Sequence, residues 1–87
     1  MYFTYGLISK DSKHTYVGST GDVERRISEH NNGKVKSSKP YRPYEVLLKE
    51  EFKSLIEARN KESFYKSTTG RRRLKQIIHQ RKQSKEC

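Results

Sequence analysis

Two β-prone stretches near the start of this chain, Tyr2–Ser9 and Thr15–Gly18, are joined by a short polar turn at Lys10–Lys13. Aromatic and β-branched side chains dominate both stretches, and Asp11 and Ser12 supply turn chemistry between them. So short a link leaves no room for a crossover, so the two strands form an antiparallel hairpin. Thr20, Gly21 and Asp22 then offer helix-start chemistry, with Thr20 or Asp22 as the expected N-cap. The helix should continue to about His30, where Asn31-Asn32-Gly33 stops it.

Gly33–Tyr44 reads as a loop, with two prolines, two serines, four basic residues (Lys34, Lys36, Lys39, Arg42) and no acid. Val46–Phe52 reads as a strand carrying Val46, Leu48 and Phe52 on one face. Ser54 and Glu57 make an S-x-x-E capping box, so a helix is expected from there to about Lys66. Ser67–Gly70 is expected to break it, and a last helix carries Leu74, Ile77, Ile78 and Arg81 on one side. The order β-β-α-β-α-α implies an α+β fold: a three-stranded, at least partly antiparallel sheet flanked by helices. Residues 1–80 are expected to form one domain, and residues 81–87 a polar, frayed tail.

Only 30% of the 87 residues are hydrophobic, so the core must be small. Six Tyr and three Phe, with no Trp, supply much of its bulk. Twenty Lys+Arg against ten Asp+Glu give a net charge of +10, a field that attracts polyanions. Nucleic acid is the usual one, ahead of acidic membranes and ribosomal RNA. Cys87 is the one cysteine and has no internal disulfide partner. Met1–Ser9 lacks the features of a signal peptide, and no stretch approaches a membrane span. The chain therefore reads as soluble and cytoplasmic, with no membrane and no obligate protein partner.

Several residues sit oddly in this pattern. Leu55, Ala58, Glu62 and Tyr65 follow one helical stripe, and Glu62 stands where a further hydrophobe is expected. A carboxylate there needs a cation or a hydrogen-bond donor. A buried Glu–Arg pair, a solvated stripe edge and a metal ligand at the floor of a cleft all satisfy that need. Arg26 and His30, four apart, share one helix face beside the hairpin, while Arg25 and Glu29 form the next pair around, with Glu29 read as solvated. Tyr5 and Tyr16 lie one on each strand and stand side by side across the pair, as sheet packing or as site residues.

These residues together resemble the GIY-YIG family. Phe3-Thr4-Tyr5 stands at its first motif and Tyr16-Val17-Gly18 at its second, with Tyr16 eleven positions after Tyr5. Ser19-Thr20, Asp22-Val23-Glu24-Arg25-Arg26 and His30 match the run that follows, and Glu57-Ala58-Arg59 with Glu62 resembles the helix bearing the family's glutamate. Gly33-Lys34-Val35-Lys36-Ser37, Arg42-Pro43 and Lys66-Ser67 with Gly70-Arg71 look like the small stand-alone bacterial and phage members. The likeness runs from about residue 2 to 78. Phe3 and Thr4 depart from the first motif, and the late asparagine of many members has no counterpart.

The resemblance implies a metal-dependent endonuclease that hydrolyses DNA phosphodiesters with low sequence specificity, RNA not excluded. A catalytically inactive nucleic-acid-binding module of the same fold is the alternative. The implied catalytic set is Tyr5, Tyr16, Arg26, His30 and Glu62, with Glu62 holding Mg²⁺ or Mn²⁺ and Arg26 neutralising phosphoryl charge. Tyr5 or Tyr16 would accept the water proton with a pKa held well below its usual value, and His30 would relay or orient; the division of labour stays open. Two basic clusters are candidate nucleic-acid contacts: Lys34, Lys36, Lys39 and Arg42 in the loop, and Arg71, Arg72, Arg73 and Lys75 at the last helix start. Tyr41 and Tyr44 are read as stacking on unpaired bases or as loop anchors.

Overall fold

The computed structural model describes the backbone of residues 1–86 and side chains through Arg81. Apart from Arg81, the tail expected at residues 81–87 lies outside the described side chains. Strand β1 (Tyr2–Ser9) occupies the centre of a three-stranded sheet, with β2 (Thr15–Thr20) on one side and β3 (Tyr44–Phe52) on the other. Both pairings are antiparallel. Six consecutive residues of β1, Thr4–Ser9, are buried without alternation, which requires cover on both faces of the sheet.

Register assigns the faces. Tyr5 lies opposite Gly18 and Leu7 opposite Tyr16, so these four share one face; Thr4–Ser19 and Gly6–Val17 pairs share the other. Helix α1 (Val23–Asn31) covers the first face, with Val23 and Ile27 against Tyr5, Leu7 and Tyr44. Helices α2 (Leu55–Lys66) and α3 (Thr68–Glu86) cover the second, where Tyr65 and Leu74 meet Val17, Leu47 and Leu48. The Thr4 hydroxyl ties α2 to the central strand by donating to the Ala58 carbonyl at 2.6 Å. Among the described residues no helix is long and apolar enough to cross a membrane.

The caps formed as their side chains dictate. Asp22 caps α1 by accepting from the Arg25 N–H at 3.1 Å, and Thr20 accepts from the Asp22 N–H one step earlier. Both candidates for the start of α1 are thus in use, in different roles. Ser54 and Glu57 close the reciprocal capping box of α2.

Two local readings are corrected. Val46 does not share a face with Leu48 and Phe52: Gly6 pairs with Leu48 and Leu7 with Val46, leaving Leu47 as an extra residue. This bulge reverses the alternation in β3, and Val46 is 39% exposed. The break between the last helices is Ser67 alone, because α3 begins at Thr68. Gly70 is instead a close-approach residue, since a β-carbon there would lie 1.8 Å from the Phe64 carbonyl oxygen.

Candidate active site

Tyr5 projects from the middle of β1 toward the edge of the sheet and passes over Gly18 of β2. A β-carbon on Gly18 would stand 2.6 Å from the Tyr5 hydroxyl oxygen, so only glycine lets the ring lie there. The ring is 1% exposed, and its hydroxyl is 3.2 Å from Nε2 of His30. Tyr16 packs diagonally beside it, with ring centroids 6.3 Å apart, and lies 4.4 Å from the His30 ring. The two tyrosines are therefore neighbours, although Gly18 rather than Tyr16 is Tyr5's direct partner across the strands.

Arg26 and His30 stand one turn apart on α1, which brings both to this hydroxyl. The neighbouring Tyr5 hydroxyl raises the Arg26 pKa above its usual value, so the guanidinium stays charged. Arg26 Nη1 also donates to Glu29 at 3.0 Å, so Glu29 is a partner of the site arginine and not the solvated residue that helix spacing suggested. Burial raises the Tyr5 hydroxyl above its usual value, and the Arg26 hydrogen bond offsets only part of that.

His30 is fully buried, and burial followed by the Arg26 charge lowers its pKa. Its Nδ1 lies 2.7 Å from the Ser38 hydroxyl, a residue the sequence reading passed over. Ser38 is 2% exposed, and its hydroxyl donates to the Val35 carbonyl at 3.3 Å. Tyr44 holds this loop inward by donating to the Ser38 carbonyl at 2.9 Å, while Asn31 both donates to and accepts from the Tyr44 backbone. Tyr44 is accordingly a loop anchor. Tyr41 is 46% exposed and stacks on His14, with centroids 3.6 Å apart. Nothing in the spacing marks Ser38, since the contact spans a loop.

Glu62 reaches the site from the opposite face of the sheet. Its Oε1 accepts from the Ser19 hydroxyl at 2.6 Å and its Oε2 from Lys66 at 2.8 Å. Partial burial alone would raise its pKa, but the Lys66 and Ser19 hydrogen bonds outweigh it and hold the group below the usual carboxylate range. Ser19, which holds Glu62, follows Gly18, over which the Tyr5 hydroxyl lies, so groups of both faces meet at β2. Of the three readings of Glu62, a buried pair with arginine is replaced by Ser19 and Lys66. Among the described residues no three His, Cys, Asp or Glu side chains converge as a metal cage. A lone, half-buried carboxylate fits a hard divalent ion that keeps most of its ligands as water and phosphate oxygen.

The basic clusters line different cavities. Lys34, Lys36, Lys39 and Arg42 are exposed, and the last two line a concavity of about 460 Å³ with Asn31, Pro40 and Pro43. Arg71, Arg72, Arg73 and Lys75 are exposed on α3. Arg71 shares a cavity with Tyr16 and Lys66, whereas Arg73 reaches Gln76 at 3.4 Å.

A family model described as the GIY-YIG catalytic domain matches residues 1–76. The UPF0213 protein YazA of Bacillus subtilis is 35% identical over 99% of this chain and 86% of its own length. A UPF0213 protein of Staphylococcus epidermidis is 34% identical over 87% of this chain and 93% of its own. The solution NMR structure of a UPF0213 protein from Bacillus halodurans superimposes with a TM-score of 0.51 at 32% identity, covering 88% of this chain and 85% of that one.

Proposed function

Since this chain belongs to the GIY-YIG catalytic domain family, a family of nucleases, we propose that it is a metal-dependent endonuclease. It hydrolyses phosphodiester bonds in DNA, with RNA as a second possible polymer and with low sequence specificity. The observation that carries the reading is the Tyr5 hydroxyl 3.2 Å from His30 Nε2, with Arg26 one turn from His30 on α1 and Glu62 held by Ser19 on the adjoining strand.

In this reading Ser38 donates to the Val35 carbonyl and so accepts from His30 Nδ1–H, which leaves Nε2 as the acceptor for the Tyr5 proton. Tyr5 takes a proton from the attacking water as it passes its own to His30. The raised pKa of Tyr5 is then no obstacle, because no free phenolate has to accumulate. The lowered pKa of His30 keeps the ring neutral and ready to accept at neutral pH. Arg26 faces the phosphoryl oxygens as their charge grows, with Glu29 and Tyr5 setting its orientation. Glu62, steadied by Ser19, would hold Mg²⁺ or Mn²⁺, in exchange for its present ion pair with the 58% exposed Lys66 side chain. When bound, the metal supplies Lewis-acid stabilisation of the phosphate and the leaving oxygen. Tyr16 walls the His30 ring and forms the mouth of the site. The net charge of +10 supplies the attraction for the polyanion.

The deciding assay incubates labelled single- and double-stranded DNA and RNA with the purified chain and Mg²⁺ or Mn²⁺. Cleavage should fall by roughly 100- to 1,000-fold in Arg26→Ala and be lost in Glu62→Ala. A wild-type chain that cuts no nucleic acid while still binding it would establish the inactive binding module instead.

A further inference from the structure

We propose that the groove between the β2 edge and α3 is a track for one nucleic-acid strand, which it grips by the phosphodiester backbone beside the scissile bond. A cavity of about 220 Å³ includes Tyr16 and Lys66 in its lining, and one of about 380 Å³ includes Lys13 and Lys75. Thr15, Arg71 and Leu74 line both, so the two adjoin along one groove. Its floor is apolar, and every charged side chain along it is a cation: Lys66, Arg71, Lys75 and Lys13. Those four are exposed, and the Lys66 ammonium is engaged by Glu62.

The channel begins at the candidate site. Tyr16 belongs to both, and Lys66, which holds Glu62, stands at the entrance. Arg71, Leu74, Lys75 and Ile78 then follow the i, i+3, i+4, i+7 spacing of a single helix face. Seven residues of helix cover about 10 Å, enough to lie along two successive phosphates of one strand. A cation row leading away from a phosphodiester site matches a charged, uniformly spaced backbone. Arg72 and Arg73 belong to the same basic run but do not line the channel.

The inference rests on the nuclease reading, and its test separates the two. The full chain, an Arg71→Gln/Lys75→Gln pair and a charge-matched Lys10→Gln/Lys53→Gln pair are titrated with a fluorescent oligonucleotide by anisotropy over a salt series. Cleavage is followed in parallel. The groove pair should flatten the slope of log affinity against log salt by about 1.5, raise KM at least tenfold and leave kcat within twofold. The control pair should change the slope by less than half as much. Shortening the substrate on one side of the cut should abolish the difference between wild type and the groove pair. Equal slopes for the two pairs would overturn the track, as would a polyglutamate peptide competing as well as the oligonucleotide. Absence of cleavage with the slope change intact would overturn the nuclease reading and keep the track.

Discussion

The Tyr5 ring lies across Gly18 so closely that a β-carbon on the glycine would stand 2.6 Å from the tyrosine hydroxyl oxygen. One residue without a side chain thus lets the hydroxyl of a buried central-strand tyrosine reach the sheet edge where Arg26, His30 and Glu62 act on it. Gly18→Ala should push Tyr5 aside at a cost of about 1–3 kcal/mol, and the displaced hydroxyl should lower cleavage by roughly 100-fold. Thermal unfolding beside a cleavage assay measures both. A variant that cleaves at the wild-type rate would show that Tyr5 does not need this position.

His30 supplies a pH signature. Burial and Arg26 lower its pKa, so it should protonate only below its usual value of about 6.5. The acid limb of the cleavage profile should therefore fall below that pH, with a plateau across neutrality. The stability effect has the same sign: neutral His30 is favoured in the folded chain, so its contribution is complete above the unfolded pKa and is lost as pH falls toward the folded one. A pH–rate profile and unfolding midpoints for wild type and His30→Gln check both, and an unchanged acid limb in the variant would remove His30 from the relay.

Ser38 is a positioning residue. Ser38→Ala leaves buried Nδ1 without its partner, a loss of about 1–3 kcal/mol, and frees the ring to adopt the other tautomer. Cleavage should drop roughly tenfold or more and the acid limb should move, while Ser38→Thr should restore both. A purely structural role would lower stability and leave the pH profile in place.

Ser19 holds one oxygen of Glu62 at 2.6 Å. Ser19→Ala should weaken activation by Mg²⁺ about 10- to 100-fold, read as a higher metal concentration for half-maximal cleavage with folding preserved. Chelation should abolish wild-type cleavage, and added metal should restore it. Full activity in chelator would end the metal proposal.

Gly70 tests the fold away from the site. Its β-carbon would overlap the Phe64 carbonyl oxygen at 1.8 Å and approach the Tyr65 Cα at 2.5 Å, both backbone atoms with little freedom to yield. Gly70→Ala should lower stability by about 3 kcal/mol or more, enough to unfold much of so small a domain. Denaturant titration reads the change.

Local chemistry made most of the elements legible. The hairpin, the Asp22 cap and the Ser54–Glu57 box follow from short-range rules that tertiary packing had no reason to overturn. Glu62 stood out because a carboxylate interrupted an apolar stripe, and Arg26 with His30 because helix spacing put them on one face. The readings that failed depended on what lay across the chain. The bulge at Leu47 is a property of pairing with β1, and the role of Gly70 depends on the carbonyl of Phe64 facing it. Glu29 read as solvated because its bond to Arg26 depends on how the site orients that guanidinium.

What the sequence determined by itself was the order of elements, the antiparallel start and the residue types gathered at the candidate site. Only the tertiary structure decided that Tyr5, on one face of the sheet, and Glu62, reaching from the other, act around the same edge strand. It alone set Ser38 against His30 across a basic loop, and it selected Arg71 and Lys75 from a run of cations for one groove. The physical reason is range. Caps, turns and helical spacing act over a few residues, whereas a proton relay and a charged channel depend on distances between residues far apart in the chain.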